Sequence, residues 1–491
     1  FSGNTSAGSA TGGAIYAVSG STSTINDAVF KKNHAKYGGA LLAYGDVAVS
    51  NSFFAENTSE RGSAIAVETR DRVVTVSGST FYKNSATAYG AAIWTRDTLG
   101  SVEVYGSPFQ ENSANIGGAI YIQTATTVTI FGDSENATVF ADNSSTNRGG
   151  AIRVGIATGA LKIYGSTFSG NIAGEEGGGV VQNLGTLTVE KASDGTQTVF
   201  RSNKGVALTG KGGGAIQNEG SATISDAIFI DNTSSLVGGA IWHGGSTCTL
   251  NNVYFSGNQA TNGGAVYNNR KAMTINGATF ATASDTIYNY EGDLTLSGTV
   301  ITSAKISNVN GVITVKDANL VFENDSEINV DNFSLAGESN SVTFRNSQRV
   351  IFANQDFSGI NVSIDWDYFS GYPLLATKAD NISSVKVDGA NRDLNEFYVS
   401  GDGKEVELVG YTNSNLSFTS YDTLYISDDG SADNVTVFAS EEALKEVYPD
   451  YTGDIAIKAA IVTAGGTASK VCVDGVLYGG NAYSSVNSAS Q

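Results

Sequence analysis

The stretch FSGNQATNGGAVY, residues 255–267, decides the fold because its order of residues recurs along the first half of the chain. Phe255 is followed three positions later by Asn258, and a Gly-Gly pair then opens a short apolar run. The first residues of the chain, FSGNTSAGSATGGAIY (1–16), have the same order. Such recurrence is typical of proteins built from stacked repeats.

The Phe-x-x-Asn motif occurs ten times, and each copy is followed by a glycine-rich tetrad of the GGAI type. Neighbouring copies lie 24 to 32 residues apart, which suits one coil of three strands with loops of varying size. The ten pairs are Phe1/Asn4, Phe30/Asn33, Phe54/Asn57, Phe81/Asn84, Phe109/Asn112, Phe140/Asn143, Phe168/Asn171, Phe200/Asn203, Phe229/Asn232 and Phe255/Asn258.

Between each tetrad and the next Phe lie segments that alternate apolar and polar residues, such as VTVSGSTF (74–81) and ATISDAIF (222–229). A period of two indicates strands that are buried on one face. Because one coil of such strands cannot bury its apolar face alone, successive coils are expected to stack about 4.8 Å apart. The sequence therefore predicts an all-β fold, a right-handed parallel β-helix solenoid with a C-terminal β-rich cap.

In stacked coils, equivalent residues lie above one another and form ladders. The Phe side chains are expected to stack inside the helix, each contributing roughly 2 to 3 kcal/mol of burial. The Asn side chains are expected to bond from coil to coil and to adopt the left-handed backbone of a sharp corner, and Gly-Gly permits the next corner. The ladder residues singled out are Phe30, Asn33, Phe54, Asn57, Phe81, Asn84, Phe109, Asn112, Phe255 and Asn258.

The composition excludes several classes of partner. The chain has 491 residues, with 59 Gly and 3 Pro, which suits short strands and tight turns better than helices. A formal net charge of -20 removes the electrostatic driving force for binding nucleic acid or anionic lipid. No segment approaches the roughly 20 apolar residues of a membrane span. We therefore expect neither a nucleic-acid partner nor a direct membrane span.

The paired GGA(I/L/V) and FxxN motifs resemble those of the chlamydial polymorphic outer-membrane proteins, whose repeats lie in the passenger region of autotransporter-type surface proteins. The resemblance covers residues 1 to about 283. It implies an extracellular or cell-surface β-helix with adhesive or host-contact roles and no catalytic residues. The sequence departs from that pattern in the tetrads GSAI, GAAI and GGGV, and in the C-terminal YSSVNSASQ, which is unlike the closing strand of an outer-membrane barrel.

The start of the chain and its cysteines lead to three expectations. Since residue 1 falls inside a repeat, without an initiator Met or a signal peptide, we expect a processed product or a piece of a longer protein. An uncapped first coil also predicts end-to-end self-association, which would propagate as a fibre. Cys248 and Cys472 lack metal-binding spacing and favour two unrelated thiols, although their pairing stays open.

The repeat pattern divides the chain into four parts. Residues 1–283 are predicted to form the GGAI/FxxN coils, and 284–360 to continue the β-helix with irregular coils and a different corner chemistry. Residues 361–410 are interpreted as a β-rich cap that covers the open end of the solenoid. Residues 411–491 are predicted to form a C-terminal module with one short helix at 440–448 and a polar tail.

Catalysis is the main competing hypothesis because many β-helix proteins are polysaccharide lyases or hydrolases, which use clustered carboxylates. The acidic candidates are the pairs Asp365/Asp367 and Asp428/Asp429, and the histidines are His34 and His243. Each is better explained as a solvated, turn or structural residue. The sequence therefore predicts no catalytic residue, metal or cofactor, and a carbohydrate-active enzyme remains the alternative.

One column of residues points to a contact surface. If the last residue of each tetrad points inward, the next points outward, and aromatic residues in register there suit stacking on sugar rings or on a protein. The alternative is that a loop or cross-coil aromatic pairing covers them. The column is Tyr16, Leu42, Ala66, Trp94, Tyr121, Arg153, Val181, Gln217, Trp242 and Tyr267, of which Tyr16, Trp94, Tyr121, Trp242 and Tyr267 are the candidate contact residues.

Taken together, these features predict a non-enzymatic bacterial protein of the cell surface or the extracellular space. Its expected role is adhesive or structural, and its expected partner is a glycan or protein on a host or neighbouring cell. Two alternatives stay open, the carbohydrate-active enzyme and the self-assembling fibre subunit. Clustered charge in one groove would favour an enzyme, whereas dispersed charge beside an aromatic strip would favour an adhesin.

Overall fold

A computed structural model describes residues 1–8, 12–68, 73–96, 100–206, 208 and 210–323, and beyond 323 mainly the backbone of short strands. The chain divides into two units. The first comprises Phe1–Leu320 and Val330–Ser339, and the second comprises Val321–Asn329 and Asn340–Gln491.

The first unit is a parallel β-helix, as the sequence predicts. One coil contains Leu41–Ala43 in sheet I, Asp46–Ser50 and Phe53–Ala55 in sheet II, and Thr58–Arg61 in sheet III. The next coil begins again in sheet I at Ile65–Val67. Each strand pairs in parallel with its equivalents in neighbouring coils, so the coil has three sheets but four short strands.

The strands of the three sheets follow one another regularly. Sheet I contains Ile15–Ala17, Leu41–Ala43, Ile65–Val67, Ile93–Thr95, Ile120–Ile122, Ile152–Val154, Val181–Asn183, Ile216–Asn218, Ile241–His243, Val266–Asn269, Ile287–Tyr290 and Ile306–Val309. Sheet II contains Thr22–Asn26, Val29–Lys31, Asp46–Ser50, Phe53–Ala55, Val73–Ser77, Thr80–Tyr82, Ser101–Tyr105, Phe109–Gln110, Thr127–Phe131, Val139–Ala141, Ala160–Tyr164, Thr167–Ser169, Thr186–Glu190, Val199–Arg201, Ser221–Ser225, Ile228–Ile230, Thr247–Ser256, Ala272–Phe280, Asp293–Thr302, Val312–Phe322 and Phe333–Ala336. Sheet III contains His34–Tyr37, Thr58–Arg61, Ser85–Tyr89, Ser113–Ile116, Ser144–Arg148, Ile172–Ala173, Lys204–Gly205 and Thr233–Ser234.

The corners explain the recurring glycines. Gly38 has a φ of 59°, and a Cβ atom on Gly39 would lie 2.4 Å from the carbonyl oxygen of Ser63 in the next coil. Only a residue without a side chain fits there. At the Asn corner the left-handed residue is the one before the Asn, for example Glu56 with φ 54°, and not the Asn itself as the sequence suggested.

The interior is a column of stacked Phe rings. Neighbouring centroids lie between 4.4 Å, for Phe109 and Phe140, and 5.2 Å, for Phe229 and Phe255. Every ring from Phe30 to Phe280 is completely buried. Ile and Val from sheets I and II fill the rest of the core, because their side chains alternate between interior and solvent along each strand.

The coil changes after the last complete repeat. Sheet III ends with Thr233–Ser234, and the two strands of sheet II merge into long strands such as Ala272–Phe280. Equivalent Asn residues of sheet I, Asn268, Asn289 and Asn308, are then separated by 21 and 19 residues. Each later coil is therefore shorter because it omits one side of the helix.

Short strands form the described parts beyond residue 323. A run of strands Ser341–Phe344, Ile360–Ile364 and Ile382–Val387 pairs in parallel, and the last also pairs with Ala390–Arg392 in antiparallel orientation. The remaining strands are Ile328–Val330, Arg349–Ile351, Leu374–Ala376, Tyr398–Val399, Val406–Glu407, Thr423–Ile426, Val435–Thr436, Lys458–Thr463, Thr467–Val473 and Val476–Gly479.

Several predictions concern residues beyond this part of the chain. The carboxylates Asp365, Asp367, Asp428 and Asp429 and the helix at 440–448 lie outside the described residues. The four-part division, with its cap at 361–410, stays a prediction.

Candidate functional site

The repeated Asn residues form a hydrogen-bonded ladder inside the corner between sheets II and III. Asn84, for example, donates from Nδ2 to Oδ1 of Asn112 at 3.0 Å and to the carbonyl oxygen of Phe54 at 2.9 Å. Its backbone N–H also donates to Oδ1 of Asn112, at 3.1 Å. In each coil these bonds satisfy the hydrogen-bonding capacity of buried backbone groups and of the buried Asn side chain. The rungs are Asn4, Asn33, Asn57, Asn84, Asn112, Asn143, Asn171, Asn203, Asn232 and Asn258.

The ladder ends on Asp285, a residue that the sequence pattern does not reveal. This buried carboxylate accepts hydrogen bonds from the backbone N–H groups of Gly257, Asn258 and Thr282. It also accepts bonds from Nδ2 of Asn258 at 2.9 Å and from the hydroxyl of Thr282 at 2.6 Å. The coil after Phe280 lacks the FxxN Asn, and Asp285 supplies the missing acceptor from a turn five residues on.

A second ladder lies at the end of the sheet I strands. Nδ2 of Asn183 donates to Oδ1 of Asn218 at 2.8 Å, and Nδ2 of Asn289 donates to Oδ1 of Asn308 at 2.7 Å. The separation of these residues varies, so the sequence gives no periodic signal for them. The rungs are Asn183, Asn218, His243, Asn268, Asn289 and Asn308.

His243 interrupts the second ladder. Its Nδ1 accepts from Nδ2 of Asn218 at 3.0 Å, so its Nε2–H faces the carbonyl oxygen of Ala272 at 3.2 Å. Oδ1 of the next rung, Asn268, is buried and has no hydrogen-bond partner among the described residues. Burial lowers the pKa of His243 from 6.5 to about 4. His243 is thus a neutral structural residue, whereas His34 is exposed and bonds through Nδ1 to the hydroxyl of Thr58 at 2.9 Å.

The structure contains the predicted outward column of sheet I, but one of its coils contributes a different residue from the one predicted. Strand pairing places Tyr16, Leu42 and Ala66 above one another, and the column continues to Trp94. In the GGGV coil the corner lies one residue later than expected, so Gln182 occupies the column and Val181 points inward. The column continues through Tyr121, Arg153, Gln182, Gln217, Trp242, Tyr267 and Tyr288.

Trp94 and Trp242 lie in this column but are not exposed as the contact-surface hypothesis requires. Trp94 is 0 % exposed and Trp242 is 2 % exposed. Trp94 packs on Ala66, whose small side chain leaves room for the indole. The Trp242 ring lies against Gly244, where a Cβ atom would come within 2.3 Å of it. Cross-coil packing therefore covers the indole of Trp94, as the alternative interpretation has it, and the turn at Gly244 lies against the indole of Trp242.

An arginine lies within the aromatic cluster that covers Trp94. The guanidinium of Arg61 is 5.4 Å from the ring centroid of Tyr37, 5.2 Å from that of Tyr89 and 5.4 Å from that of Trp94. It also pairs with Glu60 at 3.0 Å. Three aromatic rings around one partly buried cation form a cation–π cage. Tyr37 and Tyr89 can reach it because each immediately precedes a corner glycine.

We expect Arg61→Met to lower the free energy of unfolding by about 1 to 2 kcal/mol, because the cation–π contacts disappear while the side-chain volume stays similar. Urea denaturation of the variant and the parent chain gives the difference. Arg201→Met serves as the control, since Arg201 is exposed on sheet II. Equal destabilisation by the two substitutions would show that the three rings contribute nothing specific.

The remaining candidate contact residues differ in exposure. Tyr16 is 42 % exposed and packs edge-on against Tyr44 with centroids 5.6 Å apart. Tyr121 and Tyr267 are half-buried. Tyr267 stacks on Tyr288 at 5.3 Å, and burial raises the pKa of Tyr267 to about 12. The exposed aromatic area of this column therefore lies mainly on Tyr16, with smaller parts on Tyr121 and Tyr267.

A second stack of rings, with Tyr105 exposed and Phe131 and Tyr164 half-buried, lies on the outer face of sheet II, at positions that the repeat motifs do not single out. The centroids of Tyr105 and Phe131 are 4.6 Å apart, and those of Phe131 and Tyr164 are 5.3 Å apart. The planes are nearly parallel, with angles of 4° and 12°. Tyr105 is 37 % exposed. The last residue of each alternating segment supplies these rings, and that position is polar in most other coils.

The described residues offer little for metal or thiol chemistry. No group of three or more His, Cys, Asp or Glu side chains among them is arranged to hold a metal ion. Cys248 is a free thiol in the core, and burial raises its pKa to about 12. A thiol so buried and so weakly acidic is a packing residue.

These features define a parallel β-helix repeat protein whose corners are held by amide ladders and whose outer faces carry aromatic stacks. The family model of the Chlamydia polymorphic membrane protein repeat matches residues 252–269. This segment contains the rung Asn258 and the strand Val266–Asn269. The match confirms the resemblance to the chlamydial repeat. It also supports the broad class of autotransporter-like cell-surface proteins.

No curated protein and no solved structure matches the chain. Within its described part, the chain has no helix with the length and apolar character needed to cross a membrane.

Proposed function

We propose that this chain is a non-enzymatic adhesive β-helix, displayed on a cell surface or secreted, which contacts a glycan or a protein of a host or neighbouring cell. The observation that supports this proposal is the stack of Tyr105, Phe131 and Tyr164 on the outer face of a regular scaffold, in which Tyr105 is exposed and the other two rings are half-buried. Exposed rings in register suit a contact surface, because aromatic groups supply binding area with little loss of side-chain freedom. The coil ladders hold these rings at fixed spacing.

The experiment is a binding assay with the purified chain on a glycan array and on fixed host cells. We expect the triple variant Tyr105→Ser, Phe131→Ser, Tyr164→Ser to lose binding at least tenfold. Tyr254→Ser is the control, since Tyr254 is an exposed tyrosine of sheet II whose register partners, Ile228 and Thr279, carry no ring. Unchanged binding by the triple variant would contradict the proposal.

Two further measurements separate the alternatives. Release of shortened products from a polysaccharide would favour a carbohydrate-active enzyme over an adhesin. Mass that grows with protein concentration in light scattering, without binding to cells or glycans, would favour the self-assembling fibre subunit.

A further inference from the structure

The stack on sheet II ends at Tyr105, and within the described residues one face of the Tyr105 ring has no aromatic neighbour. Strand pairing places Ser77 directly before Tyr105 in the column, and Ser50 before Ser77. Neither serine can cover a phenol ring. The stack therefore stops at a position where a further flat ring would fit at the spacing of one coil.

A groove of ≈ 250 Å³ opens at this position and is lined by both aromatic and polar residues. Gly78 and Gly106 line it on one side, next to Tyr105. A Cβ atom at Gly78 would lie 2.8 Å from Oδ1 of Asn51, which would have to shift, and 3.9 Å from the backbone nitrogen of Asn51, which is an ordinary contact. Ligand sites for drug-sized molecules measure roughly 300–1,000 Å³, so this groove suits a single ring.

The polar wall of the groove is a turn that its own hydrogen bonds hold in place. Oδ1 of Asp133 accepts from the backbone N–H of Glu135 at 3.0 Å and from that of Asn136 at 2.6 Å. Ser134 donates its N–H to Asp194 of the next loop at 2.9 Å. Hydrogen bonds from Thr196 and Ser134 keep the pKa of Asp194 well below its usual range, so this link stays charged at neutral pH.

The chemistry of the groove identifies the class of ligand. An exposed phenol face accepts the C–H face of a sugar ring, and hydroxyl groups of a sugar need acceptors and donors beside it. Within the described residues, the hydrogen bonds to Asp133 go to Oδ1, which leaves Oδ2 able to accept one from a ligand. The Asn136 amide and the Ser77 hydroxyl add further polar groups. The carboxylate of Glu103, which accepts from the Tyr105 hydroxyl at 3.0 Å, makes the surroundings acidic and disfavours uronic or sialic acids.

We propose that this groove binds one uncharged pyranose residue of an oligosaccharide, stacked on the free face of Tyr105 and hydrogen-bonded to Asp133 and Asn136. This inference rests on the proposed adhesive function and adds the class of ligand and the position of the site.

Gly78→Asn is the variant that isolates the groove. Gly78 has a φ of 54°, and the equivalent corner of the preceding coil holds Asn51 with φ 48°, so asparagine adopts this conformation in the same fold. Because Gly78 lines the groove, a side chain there would narrow it, and its Cβ atom, 2.8 Å from Oδ1 of Asn51, would displace that exposed side chain. The control is Gly277→Asn, which stands in register with Asn252 of its preceding coil and has φ 72°.

The probe is an array of neutral hexose and N-acetylhexosamine oligosaccharides with sialylated and uronate glycans beside them. We expect neutral glycans alone to bind, with at least a tenfold loss in Gly78→Asn and in Tyr105→Ser and no change in Gly277→Asn. If neutral glycans still bind to Gly78→Asn but not to the triple stack variant, the proposed sugar site in the groove is wrong and the adhesive function stands. Binding to cells without binding to glycans would also contradict the sugar site. If every variant kept both its glycan binding and its cell binding, both proposals would be wrong.

Discussion

Asp285→Ala is expected to lower the free energy of unfolding of the surrounding coils by about 4 kcal/mol, because buried N–H groups lose a charged acceptor. The backbone N–H groups of Asn258 and Thr282 would be left without the bonds of 2.9 Å and 3.1 Å that they now make to the carboxylate. Alanine cannot replace them, and the site is too buried for bulk water to do so.

Asp285→Asn is the informative companion of this variant. The oxygen of the new side-chain amide would still accept from Asn258, as in every preceding rung. The amide N–H₂ would face the backbone N–H groups of Gly257 and Thr282, which are also donors. We therefore expect an intermediate loss of about 2 kcal/mol. Hydrogen–deuterium exchange of peptides from 250 to 290 measures the local opening free energy, and equal exchange in parent and alanine variant would exclude a role of Asp285 as ladder terminus.

His243→Asn is expected to stabilise the coils around it by about 1 to 2 kcal/mol at pH 7, because it completes the second ladder. An asparagine at this position would donate to Oδ1 of Asn268, a buried atom for which the described part of the chain supplies no donor. Its own Oδ1 would accept from Asn218, as the neighbouring rungs do. The lost imidazole volume opposes this gain and limits its size.

The same substitution is expected to remove a pH dependence. The pKa of His243 is about 4 in the folded chain, against the ordinary histidine value of 6.5 in the unfolded chain, so the unfolded chain takes up the proton at higher pH than the folded chain does. Protonation therefore favours unfolding. The contribution of neutral His243 to the free energy of unfolding is complete above pH 6.5. It falls by about 3 kcal/mol as the pH drops to 4, and it falls no further below pH 4.

Urea denaturation at several pH values between 7 and 4 tests this expectation. Other carboxylates titrate in the same range, but they are common to both proteins, so the difference between His243→Asn and the parent isolates the histidine. The difference should widen steadily from pH 6.5 to pH 4. A difference that is constant over this range would show that His243 exchanges protons as freely in the folded chain as in the unfolded one.

The fold was predictable because its signals are local and repeated. Phe140 and Asn143 recur at one position of every coil, and a ladder needs the same residue type in each layer. The division of each coil into four strands was harder to predict, because the corner that divides sheet II has no constant residue type. It holds Asn51 in one coil and Gly78 in the next. Asp285 could not be found in the same way because it lies on a turn of different length, where sequence spacing no longer reports position in space.

The candidate surface was predicted only in outline. The alternating pattern shows that Trp94 points away from the core, but it cannot show that Tyr37 and Tyr89 pack around it from another sheet. An additional glycine shifted Val181 by one residue, and a shift of one reverses the face of a strand. The stack of Tyr105 with Phe131 depends on cross-coil register, which loops of unequal length conceal.

The Asn ladder gives the solenoid a polarity that its repeated strands do not suggest. In each rung one side-chain N–H points toward the following coil and the oxygen toward the preceding one, while the second N–H donates to a Phe carbonyl, so the amide C=O dipoles lie parallel, as peptide dipoles do in an α-helix. Their sum leaves partial positive charge at the C-terminal end of the row, where the carboxylate of Asp285 lies. The interior therefore carries an electrostatic axis, and a coil whose amide were turned round would oppose the rungs on both sides of it.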